Sequence, residues 1–341
     1  MISAGEKFAL IALPRANVAE SVTTISLNSY LWVMRCLPFE VADHWQRWIG
    51  EIRTKDLQVT GLFLLAKDRS QTPQRDSDND QLMRRICYLF DALLIAQTPA
   101  CPVTPFLLAG ANADGDVSIR RISDLQRPVW CAFKQLAILK QIDDQTLRIA
   151  AKLAAAITVI NETADYVRFK RAISAFFVGI HQGRWDERLH QFCRCIDGII
   201  LSRQGKGEAD FTARTVFFIG GGHSEVTRQM YRMRSAVEHL RPAETEASDK
   251  RTLREQRLCV IERALQAETI ARHALQGVLP KESLRGCFGT DKKLGDFWSA
   301  SEKDLRKEWG QPLDFQTDLA DVIDPQYVDE EHLCLTDVNA N

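Results

Sequence analysis

The segment YRMRSAVEHL at residues 231–240 carries the residue types that phosphate chemistry needs. Arg234 and His239 stand in an R-x4-H spacing, and Ser235 follows the arginine. An imidazole, with a pKa near ~6.5, can accept or donate a proton at neutral pH. A guanidinium can bind two oxygens of a phosphate and stabilise the negative charge that builds on it. Arg232 precedes the same histidine at the looser R-x6-H spacing, so the spacing leaves open which arginine matters.

The periodicity of this segment predicts an amphipathic helix that starts after three glycines, with Ser224 as its N-cap. At 100° per residue, His239, Arg232 and Ser235 fall on the side opposite the apolar stripe, and Arg234 falls on its flank. Such a polar face is by default only solvated, and the alternative is that it forms a site. The predicted stripe consists of Val226, Met230, Met233, Val237 and Leu240.

The glycine triplet 220–222, in VFFIGGGHSE, is a second candidate site. A dinucleotide-binding turn needs a strand followed by G-x-G-x-x-G, so that the pyrophosphate lies on a helix N-terminus. Here Glu225 occupies the third glycine position and would repel phosphate. The segment therefore favours a helix C-cap and hinge over a nucleotide site, with His223 exposed.

Two further groups of polar residues are weaker candidates. His181 and His190 flank Asp186 and Glu187, but their nine-residue separation spans a predicted turn and does not fit ligands on one helix. Asp197 lies inside an apolar helical segment, where a carboxylate needs a partner. Arg214 or Arg234 could supply that partner, and Asp197 would then support the site.

The first ~125 residues predict a mixed α/β region. The predicted strands are 7–13, 22–27, 30–36 and 58–66, and a short helix over 39–50 ends at Gly50. A polar loop at 68–80 leads to a helix with an apolar stripe of Leu82, Ile86, Leu89 and Leu93. No residues of this region have a spacing typical of a catalytic motif, so by elimination we expect a sensing or recognition region.

After Pro128 the pattern changes to helices with apolar stripes. The expected fold class is therefore α+β, an N-terminal mixed α/β region followed by an all-α bundle. The predicted organisation is 1–127 for the first region, 140–280 for the bundle, and 281–341 for a C-terminal extension.

Charge and composition indicate an ordinary globular protein. Of 341 residues, 44 are basic and 45 acidic; residues 315–341 hold seven acids and no lysine or arginine, so the remainder is mildly basic. This suits transient contact with RNA. We expect the acidic tail to be solvated and poorly ordered, or alternatively to inhibit a basic groove.

The location is predicted from what the sequence does not contain. The nine cysteines form no CxxC pair, so we expect reduced thiols without a zinc site. No stretch reaches the ~18–20 apolar residues of a membrane helix, and the first residues do not resemble a secretory signal. The expected location is cytoplasmic.

Residues 165–275 resemble a HEPN domain, close to the ApeA-like branch of bacterial abortive-infection proteins. Three elements carry the resemblance in the same order and spacing: RLHQFCRCIDGIIL at 188–201 with an acid at Asp197, FTAR at 211–214, and the string from Tyr231 to His239. Leu240 stands where the family often has glycine, and Ser235 where active members often have asparagine or aspartate.

The resemblance implies a metal-independent endoribonuclease without cofactors. The RNA 2′-hydroxyl would attack the neighbouring phosphate of tRNA, mRNA or rRNA and leave a 2′,3′-cyclic phosphate. Arg234 and His239 would be catalytic, Ser235 and Asp197 supporting, and a homodimer would join two motifs. The implied biology is toxin-like growth arrest or anti-phage defence after a trigger. The alternative is a catalytically silent HEPN that binds RNA or dimerises within a larger complex.

Overall fold

The computed structural model describes residues 2–69, 77–113, 115–129, 141–247 and 252–328. The chain divides into two compact units: Met1–Trp130 with Leu139–Thr158, and Cys131–Ile138 with Val159–Asn341. This differs from the predicted boundary at residue 140, because most of the following helix groups with the first unit. The expected α+β class, with a helical C-terminal region, is confirmed.

The first unit is built on a six-stranded antiparallel sheet in the order β2-β3-β4-β1-β5-β6. Its strands are β1 (Glu6–Pro14), β2 (Thr24–Ser26), β3 (Leu31–Met34), β4 (Thr60–Arg69), β5 (Phe106–Asn112) and β6 (Val117–Asp124). The apolar run of β1 makes it a central strand, since β4 and β5 pair along its two sides. The four predicted strands are present, the second shortened to three residues, whereas β5 and β6 were not predicted.

Three helices accompany this sheet: α1 (Asp43–Ile49), α2 (Glu51–Gln58) and α3 (Ser77–Ala96). Phe8 and Leu10 of β1 share one apolar cluster with Ile49 of α1 and Leu57 of α2. Helix α3 packs along β1 and β4 and buries its predicted stripe. The predicted helix end at Gly50 is confirmed, because this residue has φ 88° and redirects the chain into α2. Residues 70–76 of the predicted loop lie outside the described residues.

The helices after the linker are α4 (Asp144–Glu162), α5 (Val167–His181), α6 (Trp185–Ile200), α7 (Gly207–Ile219), α8 (Ser224–Glu238), α9 (Leu253–Val278), α10 (Glu282–Cys287), α11 (Asp291–Trp298) and α12 (Glu302–Trp309). The helices predicted from apolar periodicity are confirmed. Helix α6 packs against α5, α7, α8 and α9, and is therefore the centre of the second unit. Ser224 is the first residue of α8, and the predicted cap position belongs to His223.

The C-terminal segment is partly docked, which corrects the predicted poorly ordered tail for residues 315–328. A π-helical turn, Phe315–Ala320, buries Leu319, whose carbonyl accepts a hydrogen bond from Gln266 Nε2 at 2.8 Å. Arg254 Nη2 donates to the carbonyl of Val328 at 3.1 Å. The rest of the acidic tail, 329–341, lies outside the described residues.

Two further findings concern the length of the apolar helices and the state of the cysteines. None of the helices in the described part of the chain is long and apolar enough to cross a membrane. The cysteines there are all free thiols: Cys36, Cys87, Cys101, Cys193, Cys195, Cys259 and Cys287.

The carboxyl group of Asp91 makes the stability of the protein depend on pH. Burial in α3 raises the pKa of its carboxyl to about 7. Because its pKa is higher in the folded than in the unfolded protein, Asp91 holds its proton more tightly when the protein is folded. The free energy of unfolding therefore falls by about 1.4 kcal/mol for each pH unit as the pH rises from about 4 towards 7. We expect the melting temperature of Asp91→Asn, relative to wild type, to rise by several degrees between pH 5 and pH 8, at about 2–4 °C per kcal/mol.

The exposed Asp68→Asn is the control for this measurement, because it also removes one carboxylate from the sheet unit. Its melting temperature should follow that of wild type across the same pH range. Parallel curves for Asp91→Asn and wild type would contradict the prediction.

Candidate functional site

Helices α5 and α6 approach closely because small residues line their contact. A Cβ added to Gly198 would lie 2.8 Å from the Cβ of Ala172, closer than side chains approach in folded proteins. Ala175 lies one turn after Ala172 on the same face. These small side chains leave room beside the contact, and the longer side chains around them enclose a cavity.

The cavity has a volume of about 480 Å³ and lies entirely within the second unit. Its walls come from α5, α6, α8 and the connection between α10 and α11. The charged residues that line it are four arginines (Arg168, Arg171, Arg194 and Arg234) and three aspartates (Asp165, Asp197 and Asp291). Three separate helices therefore bring guanidinium groups to one place.

One arginine and two aspartates of the lining already have strong partners. Arg168 Nε and Nη2 donate to the two carboxylate oxygens of Asp291 at 2.9 and 3.1 Å. This hydrogen-bonded pair raises the pKa of Arg168 and lowers the pKa of the Asp291 carboxyl. Asp197 Oδ1 accepts a hydrogen bond from Ser202 Oγ at 2.5 Å.

Arg234 lies in this cavity with Asp197, so the structure brings together two of the predicted site residues. Its side chain is only 14% exposed, and Nη2 lies 3.4 Å from Glu238 Oε2 on the next turn. The guanidinium carbon lies 5.5 Å from the ring centre of Tyr231. The Nε atom is buried and has no hydrogen-bond partner among the residues that the structure describes.

His239 has a different environment from Arg234. Helix α8 ends at Glu238, and His239 is the exposed C-cap residue, whose backbone N–H donates to the carbonyl of Ser235 at 3.1 Å. It does not line the cavity, and neither does the half-buried Ser235. The predicted outward orientation of His239 is confirmed. Leu240, predicted to be buried, is 95% exposed because the helix has already ended.

Two other arginines that the sequence left as candidates, Arg232 and Arg214, do not line the cavity. Arg232, the arginine of the looser spacing, is exposed and lies 3.2 Å from Glu208 Oε1, outside the cavity lining. Arg214, one of two predicted partners of Asp197, donates instead to the carbonyls of Ile200 and Leu201. It thereby satisfies carbonyls left free at the C-terminus of α6.

The sequence interpretation missed Arg168, Arg171 and Arg194. Arg168 and Arg171 stand three residues apart, which places them on one face of α5 and was a usable signal. Arg194 comes three residues before Asp197, so these two residues likewise lie on one face of α6.

His190 was also missed as a neighbour of Arg234. Burial, together with the positive charge of Arg234, lowers the pKa of His190, so its imidazole is neutral at pH 7. Its Nδ1 lies 3.8 Å from Glu187 Oε2 on the same helix. Within the described ranges, no group of three or more histidines, cysteines, aspartates or glutamates could hold a metal ion.

The glycine triplet does not follow a strand. It follows helix α7, and Gly220 and Gly222 have φ values of 81° and 92° that end one helix and turn the chain into the next. His223, predicted to be exposed, is half-buried, because its ring stacks on Phe315 with 3.9 Å between ring centres. The loop therefore lacks the strand that a dinucleotide-binding turn needs, and the predicted helix C-cap is confirmed at Gly220.

Comparisons with known proteins give no relative for this chain: no family model, no curated protein and no solved structure matches it.

A buried ion-pair network fixes α6, which carries Arg194 and Asp197, against α9. Glu268 accepts from Arg188 Nη2 at 2.7 Å and from Arg272 Nη2 at 2.8 Å. Arg188 is only 2% exposed. Burial alone would raise the pKa of Glu268, but the charges of Arg188 and Arg272 outweigh it and lower that pKa.

We expect Glu268→Gln to destabilise the protein by about 3–5 kcal/mol, because it leaves the charge of Arg188 buried without its counter-charge. Urea unfolding followed by circular dichroism measures this free energy. The matched control is Glu302→Gln, which removes an exposed carboxylate paired with Arg306 and should cost at most about 1 kcal/mol. Equal losses of unfolding free energy in the two variants would contradict the conclusion that Glu268 fixes α6 against α9.

Proposed function

We propose that the second unit is a metal-independent HEPN endoribonuclease, which cleaves RNA by attack of the 2′-hydroxyl and leaves 2′,3′-cyclic phosphate and 5′-hydroxyl ends. The observation that carries this proposal is the placement of the R-x4-H element. Arg234 lies in an arginine-lined cavity, and His239 stands exposed at the end of the same helix. A phosphate-binding cation and a solvent-accessible acid–base group are thus on one short segment.

The chemistry assigns a role to each residue. The His239 imidazole would take the proton from the 2′-hydroxyl or give one to the leaving 5′-oxygen. Arg234 would stabilise the charge that develops on the phosphorane oxygens. Asp197, held by Ser202, would contribute a fixed negative charge that orients the arginines without neutralising Arg234, which instead contacts Glu238. Ser235 would support the turn that carries His239, because its carbonyl accepts the backbone N–H of that residue.

A dimer would complete this site. His239 comes five positions after Arg234, so the two side chains point about 140° apart around the helix. A single chain therefore does not direct both at one phosphate, whereas two chains can pair the histidine of one with the arginine of the other. Leu240, next to His239, is an exposed apolar residue with a left-handed backbone at φ 56°. This leucine would be covered if two chains met at the end of α8 that carries His239.

The biological setting is part of the proposal. The enzyme would act in the cytoplasm in toxin-like growth arrest or anti-phage defence, and the sheet unit would recognise the trigger. The second candidate function is a silent HEPN that binds RNA or dimerises within a complex. The contact of Arg234 with Glu238 and the serine at position 235 favour that alternative.

The decisive assay incubates total tRNA and a structured mRNA with the protein in the presence of EDTA. Wild type should produce 2′,3′-cyclic phosphate ends, and His239→Ala and Arg234→Ala should each lose about 10²–10⁴-fold in rate. Arg232→Ala is the matched control, since it removes an arginine of the same helix that lies outside the cavity, and it should cleave like wild type. Loss of cleavage in Arg232→Ala alone would instead assign the R-x6-H arginine.

An enzyme that awaits its trigger would be inactive in that assay, and growth of the host distinguishes it from a silent module. Overexpression of wild type should arrest growth, and His239→Ala should abolish the arrest. Arrest of equal strength by both proteins, with no cleavage by either, would reject the ribonuclease in favour of the module.

The dimer is tested by Leu240→Asp, which places a charge at the proposed contact. Light scattering coupled to size exclusion should show a shift from dimer to monomer, with a parallel loss of cleavage. Leu253→Asp is the control, because Leu253 is another exposed leucine, at the start of α9. A Leu240→Asp protein that remained dimeric, or cleaved RNA fully as a monomer, would contradict this arrangement.

A further inference from the structure

The arginines of the cavity differ in how far they are committed to partners. Arg168 is held by two hydrogen bonds to Asp291, and Arg234 contacts Glu238. Arg194 donates only to the amide oxygen of Gln191, at 3.3 Å. In the part of the chain that the structure describes, neither Arg171 nor Arg194 forms an ion pair with a carboxylate. Two guanidinium groups at one cavity are therefore available for an external anion.

We propose that this cavity binds a phosphodiester group of an RNA strand, with Arg171 on α5 and Arg194 on α6 as the principal ligands of its oxygens. A guanidinium recognises phosphate through two parallel hydrogen bonds, which is a stronger and more directional contact than a lysine makes. The volume of about 480 Å³ falls in the range of sites that hold a nucleotide-sized group. This inference deepens the proposed function and rests on it for the identity of the strand as RNA.

The charge balance of the lining favours a diester. The lining has four arginines and three aspartates, and Glu238, which contacts Arg234, brings the positive and negative charges close to balance. A phosphodiester carries a single negative charge, whereas a nucleoside triphosphate would bring several negative charges next to Asp165 and Asp197. The same carboxylates can accept hydrogen bonds from ribose hydroxyls or base amino groups, which supplies partners for the rest of a nucleotide.

Two of the three aspartates that line the cavity interact with residues other than Arg171 and Arg194. Asp291 holds Arg168 through two hydrogen bonds, and Asp197 accepts a hydrogen bond from the hydroxyl of Ser202. Arg171 lies three residues after Arg168 on α5 and so extends from the same wall. The cavity thus presents its unpaired positive charge along α5 and α6, beside Arg234 of the R-x4-H element.

The test measures equilibrium binding of a fluorescein-labelled, twelve-nucleotide single-stranded RNA by anisotropy, in a His239→Ala background so that cleavage does not interfere. The double variant Arg171→Ala/Arg194→Ala should weaken binding tenfold or more and reduce the slope of log K against log salt by about 1.4, since a single strand releases about 0.7 counterion per contact. Arg171→Lys/Arg194→Lys, which keeps the charge but not the bidentate geometry, should lie between. Circular dichroism melting checks that each variant is folded.

The matched control is Lys303→Ala/Lys307→Ala, which removes two exposed positive charges from α12, outside the cavity lining. Its affinity for the same RNA should stay within about twofold of the parent, since distant exposed charges are screened. An equal loss in this control would show general electrostatic attraction and overturn the assignment.

A second arm titrates AMP and GMP by calorimetry to distinguish a strand from a free nucleotide. Cavity-dependent RNA binding without heat from the mononucleotides supports the strand. A different result would overturn the strand in favour of a free nucleotide. In that result a mononucleotide saturates the protein, and Arg171→Ala/Arg194→Ala abolishes mononucleotide binding but leaves RNA binding unchanged. RNA binding that is absent in the parent protein, or unchanged in the double variant, overturns the cavity as a phosphate site.

The inference and the proposed function fail separately. Cavity-dependent RNA binding by a wild-type protein that neither cleaves RNA nor arrests growth keeps the phosphate site and rejects the ribonuclease. Cleavage at full rate, with RNA binding unchanged in Arg171→Ala/Arg194→Ala, keeps the ribonuclease and rejects the site.

Discussion

Glu268 lies between the guanidinium groups of Arg188 and Arg272, and this buried network fixes the helix on which the second unit depends. Helix α6 is surrounded by α5, α7, α8 and α9, so most of its surface has no access to water. The charge of Arg188 inside such a bundle is tolerated only because Glu268 balances it. The apolar residues of α6 stabilise its burial, and the network specifies its position relative to α9.

The position of α6 determines the candidate site. Gly198 allows α6 to approach Ala172 of α5 closely, and the cavity forms beside this contact. Because α5, α6 and α8 each contribute arginines, their mutual repulsion must be offset. Asp291 and Glu238 pair with Arg168 and Arg234, whereas Arg171 and Arg194 form no ion pair with a carboxylate among the described residues. A site of this kind is suited to a ligand that brings its own negative charge.

The R-x4-H element acquires its geometry from the end of a helix. Arg234 lies within α8 and turns towards the bundle, while His239 is the residue at which the helix ends. The two therefore differ in burial, in electrostatic surroundings and in access to solvent. The half-buried His190 lies near Arg234, whose charge lowers its pKa along with burial, but its Nε2 is enclosed and without a hydrogen-bond partner among the described residues. His239 is thus the better-placed histidine for chemistry on a large external substrate.

The sequence by itself determined the local elements, because apolar periodicity reports which face of a helix or strand is buried. It predicted helices α3 to α9, the end of α1 at Gly50, four strands of the sheet, and the outward position of His239. It missed β5, β6 and α2. The apolar run PFLLAGAN does not reveal its structure until it pairs with β1, and α2 has little amphipathic pattern.

Only the tertiary structure decided which faces meet. Periodicity within one helix says nothing about the neighbour that covers it, so Arg168, Arg171, Arg194 and Arg234 could not be assigned to one cavity from the sequence. The same reason explains the partners of Asp197 and the docking of residues 315–328, which carry an acidic composition typical of a solvated tail. Leu319 is buried there because a groove exists to receive it, and that groove is a property of the folded bundle.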